Sequence, residues 1–242
     1  MAAKIITLED IKKNEDISTL VNAANRSLEA IGYTDHGPRH VGYVSRVASD
    51  ILKDLGYEKR QVELAAIAGW VHDIGNVVNR KSHGISGATI LFSLLRDMEM
   101  PMSEIAEIVM AVGNHEEQNG NPVSPISAAL IIADKIDAHR TRVRSGKYDP
   151  SDIHDRVNYS IKKTSVVTDR EKGEIRYEFQ MDETSSAMEF MTLYNSRMIM
   201  SERACGYLGC IFCIVVNGVL INGHPQSPNP QRYPIKKNGQ TK

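Results

Sequence analysis

Residues 70–84 read WVHDIGNVVNRKSHG and bring three ligand-type side chains, His72, Asp73 and His83, into one short stretch. The segment before them, EKRQVELAAIAGWVHDIG, predicts a helix running to Gly75. Its centre is apolar nearly all round, so this helix should lie inside a bundle. A histidine and a carboxylate are therefore carried to the end of a buried helix. Neighbouring helical side chains point about 100° apart. A histidine can then take one cation while the aspartate, with two oxygens, reaches that cation and a second. Gly75 is expected to let the backbone turn away from the site.

Outward from this stretch the helical period continues on both sides. IITLEDIKKNEDISTLVNAANRSLEAIG reads as helix, with apolar positions at Ile11, Ile17, Leu20, Val21, Ala24 and Leu28. Gly37-Pro38 opens a second helix, proline being tolerated in the first turn, and Gly56 ends it. Residues 84–98 and 103–115 predict two more helices separated by Pro101, and residues 124–144 a sixth, with Ser124-Pro125 as its start. After about residue 160 the period shortens. TSVVTDREKGEIRYEFQM reads as a hairpin, ETSSAMEFMTLYNSRMIMSER as a helix, and CIFCIVVNGVLIN as a second hairpin turning at Asn217-Gly218. The expected fold is mainly α: a helical metal-binding domain over 1–150, a small α/β appendage over 151–225, and a loose tail over 226–242.

The chain has 242 residues, 41% hydrophobic and 24% charged, with a net charge of −1. No global field recruits nucleic acid or an anionic membrane, so phosphate binding must come from a local site. The N-terminus has no signal-peptide core, and the uncharged stretch Ala204–Gly223 is broken by glycines and asparagines, which suits buried strands better than a spanning helix. Cys205, Cys210 and Cys213 are an odd set with no secretion signal. They are expected to be buried free thiols in a reducing cytoplasm.

Four imidazoles and two carboxylates fall at helix ends or on helix bodies: His40, His72, Asp73, His83, His115 and Asp134. Only convergence in space explains that set economically. Mixed nitrogen and oxygen donors suit borderline divalent cations. Six side chains exceed what one catalytic ion needs while keeping an open position, and they fit two ions with a bridging carboxylate and a bridging hydroxide. Iron or manganese is the first expectation; zinc, cobalt, nickel and magnesium are the others.

The segments TDHGPRHVGYVSRVA, WVHDIGN, KSHGISGA, GNHEE and ADKIDAHRTR resemble the HD-domain superfamily of metal-dependent phosphohydrolases, in its five-motif H…HD…H…H…D variety. The resemblance covers residues 30–145. It implies an α-helical bundle, the same six metal ligands with Asp73 bridging, and attack of a metal-activated water on phosphorus. Asn76 stands where HD-GYP members carry lysine, and no GYP tripeptide follows, so a cyclic-di-GMP phosphodiesterase is not expected.

Further roles are expected around the ligands. His36 would sit above the metals as a substrate or acid contact, and Lys135 would touch a phosphoryl oxygen, so Asp73, His36 and Lys135 form the expected catalytic group. Arg39, Arg140 and Arg144 would contact substrate, the last two from a basic cluster with His139 and Arg142. Asp137 would orient a ligand histidine. His154 and His224 read as surface residues. The substrate is expected to be a small phosphorylated molecule, a nucleotide by family analogy, with no membrane or nucleic-acid polymer as partner. A homodimer would pair hairpin edges. Two alternatives stand beside hydrolysis: a di-iron oxygenase of HD fold, and a nucleotide sensor signalling through the appendage.

Overall fold

Asn14 divides the first helical stretch in two. Its side-chain oxygen accepts from the Ile17 amide at 3.0 Å, which starts a new helix where the periodicity alone runs on. The structure, a computed structural model, describes residues 5–144 and 148–222. It opens with α1 (Leu8–Lys13) and α2 (Glu15–Ala30). Next comes α3 (Pro38–Asp54), with Gly37 as cap and proline in its first turn. α4 (Lys59–Val71) buries Leu64, Ala65, Ala66, Ile67, Ala68, Gly69 and Val71, as its all-round apolar centre requires. It stops earlier than the sequence suggests: His72 caps it and a 3-10 turn, Ile74–Val77, follows.

α5 (His83–Asp97) and α6 (Met102–Gly113) come next. α7 (Pro125–Ile136) begins where the Ser124 side chain accepts from the Ser127 amide. It ends well short of residue 144, because Asp137 leaves the helical region at φ −70°, ψ 78°. A 3-10 turn, Arg140–Arg142, then leads away. Where the sequence suggests only a polar boundary, the chain forms a further short helix, α8 (Ile153–Ser160), capped by Asp152.

β1 (Ile161–Asp169) and β2 (Glu174–Met181) form the expected antiparallel hairpin. α9 (Ala187–Tyr207) crosses over to β3 (Ile211–Val216), which pairs parallel with β2. β4 (Val219–Leu220) closes the second hairpin, with Asn217 and Gly218 both at positive φ. Ala204–Tyr207 are the last turn of α9 rather than strand. His224 and residues 226–242 lie outside the described residues.

One apolar core runs from Ile6 through α3, α4 and α7 to the sheet and α9. Tyr177 of β2 is fully buried, and its hydroxyl donates to the Ile132 carbonyl of α7 at 2.6 Å. That bond joins the sheet to the helix that carries Asp134. The three cysteines are free thiols. Burial pushes Cys205 well above the ordinary thiol range, and Cys210 and Cys213 up to about 11. No helix among the described residues is long and apolar enough to cross a membrane.

Candidate metal centre

Two close approaches between helices build the site. A Cβ on Gly69 of α4 would lie 2.6 Å from the Ser45 Cα of α3, so this glycine lets the two backbones touch. That contact sets His40 beside His72. A Cβ on Gly75 would lie 1.9 Å from the His83 carbonyl oxygen and 2.5 Å from the Gly87 amide. Gly75 is therefore required by the seating of the 3-10 turn against α5, and its φ is not positive. The expected reason, a backbone turning away, gives way to a steric one. Ser82, just before His83, takes the left-handed region at φ 60°, a local strain held at the site.

All six expected ligands converge. Around one point, His40 Nε2 lies 3.2 Å from His72 Nε2, 3.5 Å from Asp73 Oδ2 and 3.5 Å from Asp134 Oδ1. His72 Nε2 is 3.4 Å from Asp73 Oδ2 and 3.6 Å from Asp134 Oδ1. Around a second point, His83 Nε2 lies 3.0 Å from His115 Nε2 and 3.1 Å from Asp73 Oδ1, and His115 Nε2 is 3.9 Å from the same oxygen. Asp73 thus gives one oxygen to each cluster. The donor atoms of His40, His72 and Asp134 lie within 4.8 Å of one another, as do those of His72, Asp73 and His115, so both groups could hold a metal ion.

The opposite ring nitrogens fix the imidazoles. His72, His83 and His115 each face, through Nδ1, the carbonyl oxygen three residues earlier: Gly69 at 2.9 Å, Arg80 at 3.0 Å and Val112 at 2.6 Å. His83 Nδ1 also meets Glu116. His40 Nδ1 lies 2.6 Å from Asp137 Oδ2. With Nδ1–H donating in each ring, every Nε2 presents a lone pair toward the centre. Two pairs of buried ring nitrogens then face each other, an arrangement that a shared proton or a cation between them would stabilise. This donor set fits divalent cations.

The electrostatics agree. Burial disfavours the charged form of His72, but the Asp73 and Asp134 carboxylates outweigh it and push the imidazole up to about 10. Burial would also raise Asp73, yet the surrounding imidazoles, His72 foremost, hold it well below the usual carboxylate range. Asp134 is held low by Lys135, His72 and His40 against its burial. His115 is lowered, chiefly by burial.

The residues expected around the ligands separate into two groups. Lys135 Nζ is buried at the centre, 2.6 Å from Asp134 Oδ2 and 3.2 Å from Glu117 Oε1. His36 lines the cleft above it, but both ring nitrogens are engaged: Nε2 accepts from Arg142 at 2.9 Å and Nδ1 donates to the Thr34 carbonyl at 2.7 Å. Burial and Arg142 hold His36 well below its ordinary value, so it is neutral and has no free ring proton to give.

Arg39, Arg140 and Arg144 are not brought to the cleft. Arg39 pairs with Asp137 at 2.7 Å and Asp35 at 3.5 Å. Arg140 pairs with Asp182 at 2.7 Å and lies over the Tyr159 ring. Arg144 donates to the Tyr33 and Thr34 carbonyls and to Asn25. The cations that do face the centre are Arg80, Arg142 and Arg197, with Glu117 between Lys135 and Arg197. Arg80 stands three residues before His83, a spacing that could have marked it. Arg197 carries no local signal. The cleft continues outward into a cavity of about 400 Å³ lined by the 31–34 loop, α8 and α9. Exposed His154 lies on its outer wall.

Comparison with protein families gives one match over the site. Residues 39–140, which contain all six ligand candidates, match the family model of the HD domain. The chain is 26% identical over 159 residues to an uncharacterized protein of Methanocaldococcus jannaschii, covering 56% of this chain and 61% of that one. It is 28% identical over 115 residues to ribonuclease Y of Lawsonia intracellularis, covering 46% of this chain and 20% of that one. The chain thus spans less than two thirds of the length of either curated relative. Among solved structures it is similar to a predicted HD superfamily hydrolase from an uncultured Thermotogales bacterium, at 24% identity and a TM-score of 0.43, covering 55% of this chain and 75% of that one. It is likewise similar to a protein of Lactobacillus plantarum, at 18% identity and a TM-score of 0.43, covering 78% of this chain and 85% of that one. Residues 39–140 of this chain form an HD domain.

Proposed function

We propose that the chain is a metal-dependent phosphohydrolase that cleaves a phosphoester or phosphoanhydride bond in a small substrate of the nucleotide class. The observation that carries this reading is the split carboxylate of Asp73, with Oδ2 facing His40 and His72 and Oδ1 facing His83. In this reading His40, His72, Asp73 and Asp134 hold one divalent cation, and Asp73, His83 and His115 hold a second. Bound there, the cations would supply Lewis acidity toward phosphoryl oxygens and a water acidified toward neutral pH.

The protein's own groups do the rest. Asp137 and the three backbone carbonyls keep the imidazoles in one tautomer. Lys135 stays protonated, since Asp134 and Glu117 overcome its burial and raise it. It can therefore donate to a phosphoryl oxygen, but it cannot act as a base. His36 holds Arg142 in the wall of the cleft. The cavity of about 400 Å³ is within the range that encloses small ligands and suits a mononucleotide-sized molecule. The test is a screen of nucleotides and simple phosphoesters with Mn²⁺ or Fe²⁺ added to the purified chain. Turnover that disappears in Asp73→Ala supports the reading. Full metal content and full turnover in that variant would end it.

A further inference from the structure

Arg197 lies on α9, more than fifty residues beyond the HD domain in sequence, yet it lines both the metal-centre cavity and the larger cavity outside it. Its guanidinium is lightly committed. Among the described residues its one ion-pair partner is Glu117, with Nε 3.5 Å from Oε1, and its plane rests over the Tyr194 ring at 4.8 Å. The side chain keeps 30% of its surface exposed at the mouth of the cleft. Arg80 and Arg142 line the same two cavities. Arg142 is 3% exposed; its terminal nitrogens donate to the Asp137 carbonyl at 2.6 Å and to His36 at 2.9 Å, and its Nε has no hydrogen-bond partner among the described residues. The α8 and α9 residues Asn158, Leu193, Tyr194 and Ser196 continue the wall outward.

We propose, on the basis of the phosphohydrolase reading, that Arg197 is a substrate-positioning residue which, with Arg80 and Arg142, holds the anionic group of the substrate at the metal centre. The C-terminal α/β part is then one wall of the binding cleft. The physical case is charge and shape. Guanidinium groups give fork-like donors suited to phosphate oxygens. Three of them face a cleft in which Glu117 is shared between Arg197 and Lys135. Stacking on Tyr194 holds the Arg197 plane without using its terminal N–H groups.

The test is an equilibrium titration of inorganic phosphate into the full chain loaded with Mn²⁺, comparing the wild type with Arg197→Ala, Arg197→Lys and Arg203→Ala, the last exposed on the same helix. Metal content is measured on each sample. Arg197→Ala is expected to bind phosphate roughly 10- to 100-fold more weakly, the usual effect of losing a charged hydrogen bond. Arg197→Lys should recover part of that loss, Arg203→Ala should match the wild type, and all four should keep the same metal content. With any phosphoester that turns over, Arg197→Ala should raise KM more than it lowers kcat. The proposal is overturned if Arg197→Ala binds phosphate like the wild type, if the wild type binds none, or if both Arg197 variants lose metal along with phosphate. Wild-type protein that binds phosphate through Arg197 but turns over no phosphoester would count against the hydrolase reading while leaving Arg197 in its place.

Discussion

His40 and Asp137 are joined by a 2.6 Å contact from Nδ1 to Oδ2, buried at both ends and linking residues 97 positions apart. The other three ligand imidazoles rest on backbone carbonyls of their own segments. His83 adds the Glu116 side chain to its carbonyl, whereas the Nδ1 of His40 is held by a side chain, that of Asp137 just past the end of α7, and Asp137 is itself held by Arg39. Burial would raise Asp137, but Arg142, His40 and Arg39 hold it below the usual carboxylate range, so it is ionised at neutral pH. Asp137→Ala should weaken metal binding roughly 10- to 100-fold, as loss of such supporting partners does. The helical content should stay near that of the wild type. Metal titration and circular dichroism check the two halves of this prediction.

Gly75→Ala tests the seating of the 3-10 turn on α5. The new Cβ cannot coexist with the His83 carbonyl. The turn must move, at a cost of about 1–3 kcal/mol or more. The His83 and His115 side of the centre should lose its ion before the His40 side does. A denaturant midpoint and metal stoichiometry measured together will show this.

Proton linkage gives a third prediction. Without metal, His72 is pushed up to about 10, above its ordinary 6.5. Its stabilising contribution is then full below about pH 6.5 and disappears as pH rises toward 10. A cation takes the place of that proton. Metal loading at pH 7 should therefore release protons, and metal affinity should fall as pH is lowered. Thermal melts from pH 6 to 10 should show a decline in stability for the metal-free chain that the Mn²⁺-loaded chain lacks.

Tyr177→Phe removes the hydroxyl that donates to Ile132, two residues before Asp134. The expected loss is about 0.5–1.5 kcal/mol of stability, with metal stoichiometry unchanged. A urea titration and elemental analysis measure both.

The convergence of the candidate ligands was legible in the sequence because they sit beside helix boundaries, where glycine, proline and serine mark position. His72-Asp73 at the end of an all-round apolar run announced a buried site, and the pairing of Asp137 with a histidine followed from its place next to Asp134. Helix ends were less legible. α4 stops at His72 and α7 at Asp137, both beside the candidate centre and without a glycine or proline at the cap to mark the end, and α8 is too short and polar to stand out. The arginines were the least legible. Arg39, Arg140 and Arg144 stand near ligands in sequence, but carboxylates and backbone carbonyls take their donors. Arg197 reaches the cleft only because α9 packs on α7, a long-range contact that no local pattern encodes.

Elemental analysis of the purified chain, the wild type beside His83→Ala and Asp73→Ala, tests the central claim most directly. Two divalent ions per chain are expected in the wild type, one in His83→Ala, and little or none in Asp73→Ala. A wild-type chain that takes up no more than one ion, or a His83→Ala variant that keeps two, would contradict the two-ion centre built around Asp73.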